Sequence, residues 1–343
     1  MNPKLKKFLC SLSVAASWIY LVLFFSWLGL YLLTGERFLL VALINYLAVY
    51  LFYPLVLVLL TAILCHKKIL YVGVLIGALA FIWFWGAQFL PRINRDRTDN
   101  PTLSVMTYNV LAWHDHTEPV LATIRTEDPD ILALQELNFN LAKTIKHELT
   151  YIYPYQVLEP RDDPAGIGVL SKFPIRPTGE KLPLRWVGGP QVLDLDWHGE
   201  SITLVNYHMF PTNGVSPWRK VENSFRIRVA EARLLAELAQ RSHSVILAGD
   251  ANMSSLSDAY QIITAELVDS YRQAGFGLGH TFPGSDIPES DRPQIGGWYV
   301  PTWLARIDYI FHSDDWETIS SRTARIDGVS DHRGVISVLR RNR

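Results

Sequence analysis

Hydrophobic spacing along the chain changes abruptly near residue 91. Before it the sequence is almost continuously apolar: Phe8–Gly35 and Phe38–Cys65 each run 28 residues without a charge, and Ile69–Pro91 runs another 23. About 20 apolar residues carry a helix across the hydrocarbon core, so each stretch predicts a transmembrane helix with some tilt or overhang. The separators are short and polar, Glu36-Arg37 and His66-Lys67-Lys68. Trp18, Tyr20, Trp27, Tyr31, Tyr50, Tyr53, Tyr71, Trp83 and Trp85 gather toward the ends of the runs, although several lie too deep for interfacial anchoring. A cleaved signal peptide fits poorly: Lys4, Lys6 and Lys7 give a basic start, but the apolar run is about twice the usual length and two more follow. Helices buried in a soluble protein would carry charged faces, which these lack. Cys10 is preceded by Lys-Lys-Phe-Leu, without the small residues expected ahead of a lipidated cysteine. The expectation for 1–91 is a three-span membrane region.

After a polar, proline-bounded linker over 92–101, the spacing becomes that of alternating strands and helices. Strands are predicted at Leu103–Val110, Asp130–Leu137, Gly166–Ser171, Val192–Trp197, Ile202–His208, Val245–Ala248, Ile307–Phe311 and Val335–Leu339. Helices are predicted at Pro119–Glu127, Asn140–Leu149 and Trp218–Gln240. The last has Val221, Phe225, Val229, Leu234, Leu235 and Leu238 near helical spacing. Many strands with a few long helices point to an α/β sandwich over 102–343, two packed sheets flanked by helices.

Charge sharpens this division. The chain has 32 Lys+Arg and 33 Asp+Glu, but residues 1–97 hold nine and two of these, leaving the other 246 residues at 23 and 31, a net −8. No basic nucleic-acid surface is visible in such totals. Lys4, Lys6 and Lys7 before the first span and Lys67-Lys68 after the second favour the cytoplasmic side. An odd number of spans then places the body extracytoplasmically, although Arg92, Arg95 and Arg97 pull the other way. Both cysteines, Cys10 and Cys65, belong to the apolar region, so the body has none. That suits either side.

Polar residues collect where the predicted strands end. Asn109 closes Met-Thr-Tyr-Asn, Glu136 closes Leu-Gln-Glu and His208 closes Asn-Tyr-His. Asp250 and Asn252 sit in Gly-Asp-Ala-Asn, Asp308 in Arg-Ile-Asp-Tyr-Ile-Phe, and Asp331 and His332 in Ser-Asp-His. Strand ends are where a rigid sheet aims side chains into one mouth. Carboxylates and carboxamides with two histidines suit a hard divalent cation such as Mg²⁺, which leaves coordination positions to water and phosphate. The sequence lacks a cysteine cluster, His-Glu-x-x-His, a P-loop and Gly-x-Ser-x-Gly, which disfavours zinc proteases, P-loop NTPases and α/β-hydrolases. Each residue alone has an ordinary reading: a turn-forming Asn, a solvated Glu, a capping Asp, a satisfied core His. Five or more in succession at strand exits do not.

These motifs, in this order over about residues 103–340, resemble the endonuclease/exonuclease/phosphatase superfamily, the DNase I-like fold, together with Ser-Asp-His-Arg at 330–333. The resemblance implies a four-layered α/β sandwich and a metal-dependent hydrolase acting on phosphoric ester bonds. It implies Glu136 as the principal Mg²⁺ ligand (Mn²⁺ being the alternative ion), with Asn109 and Asp331 supporting it. It also implies His332 and Asp308 as an acid–base pair at the scissile phosphate, Asp250 as the group that orients or deprotonates water, and Asn252 and His208 as phosphate binders. Arg161, in Arg-Asp-Asp before the strand at 166–171, is a candidate phosphate contact or a solvated loop charge.

Membership in this superfamily does not choose a substrate. Spans in the same chain would raise the effective concentration of membrane-embedded substrates, and the net −8 disfavours general affinity for a phosphate backbone. The stretch Trp298-Tyr299-Val300-Pro301-Thr302-Trp303-Leu304 either dips into lipid or packs in the core. Spans followed by a catalytic body resemble membrane-anchored bacterial members, including ones similar to glycopeptide-resistance proteins acting on prenyl-pyrophosphate carriers. The expectation is therefore a membrane-anchored phosphoesterase hydrolysing a lipid-linked phosphate ester or pyrophosphate at the outer face. A tethered extracellular endonuclease/exonuclease acting on nucleic acid is the second reading, and a non-enzymatic membrane scaffold is the third.

Overall fold

A computed structural model describes residues 2–90, 100–184, 186–212, 218–284, 294–295, 297–299, 301–325 and 328–342. The chain divides into two compact units, 1–90 and 91–343. The linker expected over 92–101 lies, except for its last two residues, outside the described residues.

In the first unit α1 (Pro3–Thr34) is followed by α2 (Leu39–Asn45), a 3-10 turn (Ala48–Phe52), α3 (Leu55–Leu64), α4 (Lys68–Trp85) and a second 3-10 turn (Gly86–Phe89). Two helices, Pro3–Thr34 and Lys68–Phe89, are long and apolar enough to cross a membrane. The second expected span is not one straight helix. It is Leu39–Asn45 and Ala48–Leu64, bent by 83°, so the described residues hold two helices of sufficient length, or three when the bent pair counts as one. The break follows a buried polar residue. Asn45 is buried, where its carboxamide accepts from Trp27 Nε1 at 3.2 Å and donates to Glu36 Oε1 at 3.4 Å. Pro54, one residue before α3, lacks an N–H and marks the change from the 3-10 turn to α3 rather than the bend itself. Cys10 and Cys65 form a disulfide with a Cα–Cα distance of 5.7 Å. The end of α3 therefore lies beside the beginning of α1, and the bent pair returns the chain to the level where α1 started.

The second unit contains β1 (Thr102–Asn109), α5 (Thr117–Glu127), β2 (Ile131–Gln135), α6 (Phe139–Glu148), β3 (Tyr155–Glu159), β4 (Ile167–Ser171), β5 (Ile175–Pro177), β6 (Gly188–Trp197) and β7 (Glu200–His208). It continues with α7 (Trp218–Arg241), β8 (Val245–Asp250), α8 (Asp258–Thr264), β9 (Val268–Asp269), α9 (Ser270–Ala274), β10 (Gln294–Ile295), β11 (Trp298–Tyr299), β12 (Asp308–His312), β13 (Trp316–Thr323) and β14 (Val335–Arg341). Two six-stranded sheets form, in the orders β13-β14-β1-β2-β4-β3 and β5-β6-β7-β8-β12-β9. β1–β2 and β7–β8 are parallel pairs, joined by the crossover helices α5 and α7.

Three apolar layers account for the stacking. Leu103, Val105, Ile131 and Ala133 of one sheet meet Leu204, Ile246, Ala248 and Ile310 of the other. On the outer face of the first sheet, Met106, Leu132 and Leu134 pack on Val120, Ile124, Leu141 and Ile145 of α5 and α6. On the outer face of the second, Val205, Leu247 and Phe311 pack on Leu235, Leu238, Tyr260 and Ile263 of α7 and α8. Helices, sheet, sheet, helices: the chain is a four-layered α/β sandwich.

Strand periodicity decides what enters the middle layer. Side chains alternate faces, so Leu103 and Val105 share a face with Thr107 and Asn109. By the same rule Ile131 and Ala133 share theirs with Gln135, Ile202 and Leu204 with Asn206 and His208, and Ile246 and Ala248 with Asp250. The inner layer thus changes from apolar to polar toward one end of both sheets. Below that end, Gln135 Nε2 donates to Asn206 Oδ1 at 2.7 Å, and Asn206 Nδ2 donates to the Leu134 and Gly168 carbonyls at 3.0 and 2.9 Å. These buried amides tie the sheets together beneath the polar end.

Candidate active site

Strand register brings half of the site together without any loop. His208 lies opposite Asp250 across β7–β8, and Asp250 lies opposite Asp308 across β8–β12. All three are buried. His208 Nε2 is 3.4 Å from Asp250 Oδ2. The other sheet supplies Asn109 at the end of β1; its Nδ2 donates to Asp250 Oδ2 at 3.1 Å and to Glu136 Oε1 at 3.0 Å. One carboxamide therefore links the two sheets across the mouth.

Glu136 follows β2 with φ +59, a left-handed conformation that turns its side chain out of the strand alternation. Its second oxygen accepts from Ala112 N–H at 3.2 Å. Asn252, also left-handed at φ +48, donates from its backbone to Asp250 Oδ1 at 2.9 Å and from Nδ2 to the Met209 carbonyl at 3.1 Å. Two strained exits thus re-aim polar groups toward one point.

The loop before β14 closes the site. His332 Nδ1 sits 2.9 Å from Asp308 Oδ2, while its Nε2 is 3.8 Å from Asp250 Oδ2 and 4.0 Å from Asp331 Oδ1. Ser330 anchors this loop: its hydroxyl donates to the Asn109 carbonyl at 2.7 Å and accepts from His332 N–H at 3.0 Å. Ring packing of Phe282 on His332, with centroids 4.9 Å apart, covers the imidazole.

Charge and burial set the protonation states. Burial alone would depress the His332 imidazole, but Asp308 and Asp250 outweigh it and hold the group well above the ordinary histidine value. His208 is also raised, its burial overcome chiefly by Asp250. Burial pushes Asp308 up despite His332. For Asp250 the same burial is outweighed by His332 and His208, so its carboxyl is lowered. Asp331 is pushed up to about 6 by burial, with His332 opposing and Glu136 and Asp250 adding to the rise. Its Oδ1 is buried without a hydrogen-bond partner among the described residues.

That orphaned oxygen, among carboxylates that repel one another, suits a cation. One ligand atom from each of Asp250, Asp308 and His332 also falls within 4.8 Å of the others, but His332, held protonated between those two carboxylates, has no lone pair to offer, so a cation would fall to Asp331, Glu136 and Asn109. The donor set is dominated by carboxylate and amide oxygens, as hard divalent cations require.

Asn109, Glu136, His208, Asp250, Asn252, Asp308, Asp331 and His332 all lie in this one constellation, and Arg161 is not joined to it. Arg161 is exposed, its backbone N–H bonded to the Leu137 carbonyl at 2.9 Å. The stretch 298–304 divides: Trp298 is 82% exposed, whereas Trp303 lies under the Arg333 guanidinium, 3.8 Å from its ring centroid. Val300 and the Tyr299 side chain lie outside the described residues.

Sequence reasoning passed over several supports. Thr281 is fully buried, and its hydroxyl accepts from Ile307 N–H at 3.1 Å and Asp308 N–H at 3.4 Å, fixing the start of β12. Arg306 and Asp269 form a buried bidentate pair at 2.9 and 2.6 Å. Gln135 and Asn206 adjoin motif residues. Strand alternation marks these two as inward-facing amides; Thr281 carries no comparable signal.

The sequence profile of the Endonuclease/Exonuclease/phosphatase family matches residues 106–332. The chain belongs to that family, and is a metal-dependent hydrolase acting on phosphoric ester bonds. No functionally curated protein is significantly similar to it in sequence. Solved structures share its fold. One is the endonuclease/exonuclease/phosphatase from Beutenbergia cavernae, at 18% identity and TM-score 0.51, covering 70% of this chain and 72% of that one. A family protein from Bacteroides thetaiotaomicron matches at 20% identity and TM-score 0.50, covering 70% and 95%. TDP2 from D. rerio, complexed with single strand DNA product, matches at 17% identity and TM-score 0.53, covering 70% and 99%.

Proposed function

We propose that this protein is a membrane-anchored phosphoesterase that hydrolyses a lipid-linked phosphate ester or pyrophosphate, with Mg²⁺ as its cofactor and Mn²⁺ as the alternative ion. The observation that carries the hydrolytic reading is the buried His332–Asp308 pair at 2.9 Å, facing Asp250 from the other side of the imidazole.

Asn109, Glu136 and Asp331 would hold the ion, in keeping with the unpartnered Asp331 Oδ1. When bound, it offsets the charge that develops on the phosphate oxygens. Asp250, ionised because its pKa is lowered, orients a water and accepts its proton. Asn109 and Asn252 hold that carboxylate in place by three hydrogen bonds between 2.9 and 3.3 Å, from Asn109 Nδ2 and from the Asn252 backbone N–H and Nδ2. His208, cationic beside Asp250, binds a phosphate oxygen, as does the Asn252 carboxamide. His332 is protonated at neutral pH and gives its Nε2 proton to the departing oxygen, while Asp308 holds Nδ1–H and stabilises the imidazolium.

The lipid assignment is supported by two or three apolar helices in the same chain and by the net −8 of residues 98–343. The flanking lysines, at positions 4, 6, 7, 67 and 68, favour the cytoplasm, and the end of α4 is then extracytoplasmic together with the catalytic unit. A second reading, a tethered nuclease, is favoured by the fold shared with D. rerio TDP2, which was solved with single strand DNA product.

Full-length protein in detergent, assayed with Mg²⁺ against lipid monophosphate and pyrophosphate in mixed micelles and against single-stranded and plasmid DNA, separates the readings. Phosphate release from micelles, abolished by Glu136→Ala and His332→Ala, is expected. DNA cleavage at equal or greater efficiency would overturn the lipid assignment. Inertness toward all of them in a folded, metal-binding sample would overturn the enzymatic one.

A further inference from the structure

The residue two past His208 is held in an unusual way. Phe210 N–H donates to Glu231 Oε2 at 3.0 Å, and the Phe210 carbonyl accepts from Arg228 Nη1 at 2.8 Å. Both side chains come from α7, three residues apart and so on one face. Both are buried, with Arg228 1% and Glu231 0% exposed.

Burying two ionisable side chains is expensive, and neutral residues can bond a backbone amide. Both are nevertheless committed to Phe210, Glu231 to its N–H and Arg228 to its carbonyl. Three buried polar atoms have no hydrogen-bond partner among the described residues: His208 Nδ1, Glu231 Oε1 and Arg228 Nη2. The His208 charge also bears on Glu231, whose carboxyl burial pushes up to about 7 against the opposing Phe210 N–H, Arg228 and His208. On its other ring nitrogen His208 faces Asp250 at 3.4 Å. The intervening Met209 is pinned by the catalytic side, its N–H donating to the Asp250 carbonyl at 2.9 Å and its carbonyl accepting from Asn252 Nδ2 at 3.1 Å. The β7 exit is therefore gripped from the site at Met209 and from the outer helix at Phe210.

We infer that Arg228 and Glu231 are positioning residues: they clamp the Phe210 backbone from α7, and so hold His208, two residues earlier, against Asp250. The inference rests on the phosphoesterase reading for its consequence, but the clamp itself is geometric. It assigns to α7 a part in the reaction that its sequence, an amphipathic helix with exposed charges, does not announce.

A double-mutant cycle on the full-length protein tests it. Glu231→Ala is expected to lower kcat about 10²-fold, the size of effect produced by a displacement near 1 Å, with KM changed by less than about 3-fold. Glu231→Gln, whose amide oxygen can still accept from Phe210 N–H, should recover most of the loss. In a His208→Ala background the further cost of Glu231→Ala should fall to about 3-fold or less, because the clamp acts through His208. An equal loss in both backgrounds, with a lowered Tm, would show a merely structural role and overturn the inference, as would no loss at all. If Glu231→Ala does not fold, Arg228→Lys enters the same cycle with the same expectations. If the wild-type protein hydrolyses no phosphate ester, the functional reading fails separately, and the histidine Cε1 resonances decide. A His208 signal displaced by Glu231→Ala or Arg228→Lys sustains the clamp, and an unmoved one refutes it.

Discussion

His332 Nδ1 lies 2.9 Å from Asp308 Oδ2, although the two residues are 24 positions apart and approach from a loop and a strand. With Asp250 Oδ2 3.8 Å from the opposite nitrogen, the imidazole is bracketed by carboxylates and keeps its proton to higher pH than an ordinary histidine.

Loss of that bracket should appear as a kinetic defect before a stability defect. Asp308→Asn removes the charge while retaining shape, and is expected to lower kcat by about 10²–10⁴-fold, the usual worth of general acid–base help. The alkaline limb of the pH–rate profile should move to lower pH, because His332 loses the group that raises its pKa. An unchanged limb would remove His332 from the role of acid.

Asp331 gives a prediction about metal removal. Its folded-state carboxyl titrates near 6, above the ordinary value of 3.8, so the folded state binds the proton more tightly than the unfolded state does. The resulting stability is fully present below about pH 4 and is lost as pH rises through 6. Chelator-treated protein should therefore be more stable at pH 5 than at pH 7. Asp331→Asn should stabilise the chelated form at pH 7, by up to roughly 2–3 kcal/mol, and weaken the response to added Mg²⁺. Thermal melts with and without chelator at the two pH values provide the check.

Gly249 is a stability prediction. In the paired strands it lies opposite Tyr207, and a Cβ there would meet the Tyr207 carbonyl oxygen at 2.1 Å. Backbone cannot move aside as a side chain can. Gly249→Ala should cost about 1–3 kcal/mol or more, lowering Tm by several degrees. It should also reduce activity, since Asp250 is the next residue. An unaltered Tm would show that the strands part more easily than their packing implies.

Orientation can be read from the cysteines. In the exported arrangement the Cys10–Cys65 end of the apolar unit, which carries the lysine flanks, faces a reducing cytoplasm. There the Cys10–Cys65 pair would be kept reduced, so both cysteines should be alkylated in intact cells before any reductant is added, and the disulfide should form only on oxidation. Cysteines that resist alkylation until reduced would place this end on the oxidising side and the catalytic unit in the cytoplasm.

Legibility followed the range of the interactions. Strand exits such as Asn109 and His208 could be read because alternation is local, and the order of six short motifs was specific in combination. The bend near Asn45 could not, since hydropathy treats residues 38–65 as uniform; where the helix breaks, Asn45 bonds to Trp27, 18 positions earlier. Thr281 and Glu231 were equally silent. A buried threonine in a loop and a glutamate in an amphipathic helix look ordinary until β12 and β7 arrive beside them.

By itself the sequence determined the apolar head, the four-layered body, and the chemical types that meet at its mouth, because these depend on composition and on periods of two and 3.6 residues. Only the tertiary structure decided that Asn109 would join the two sheets, that Asp331 would keep an oxygen unsatisfied, and that α7 would reach back to grip Phe210. Those outcomes depend on register and on which buried group finds a partner, and such choices are made across the fold rather than along the chain.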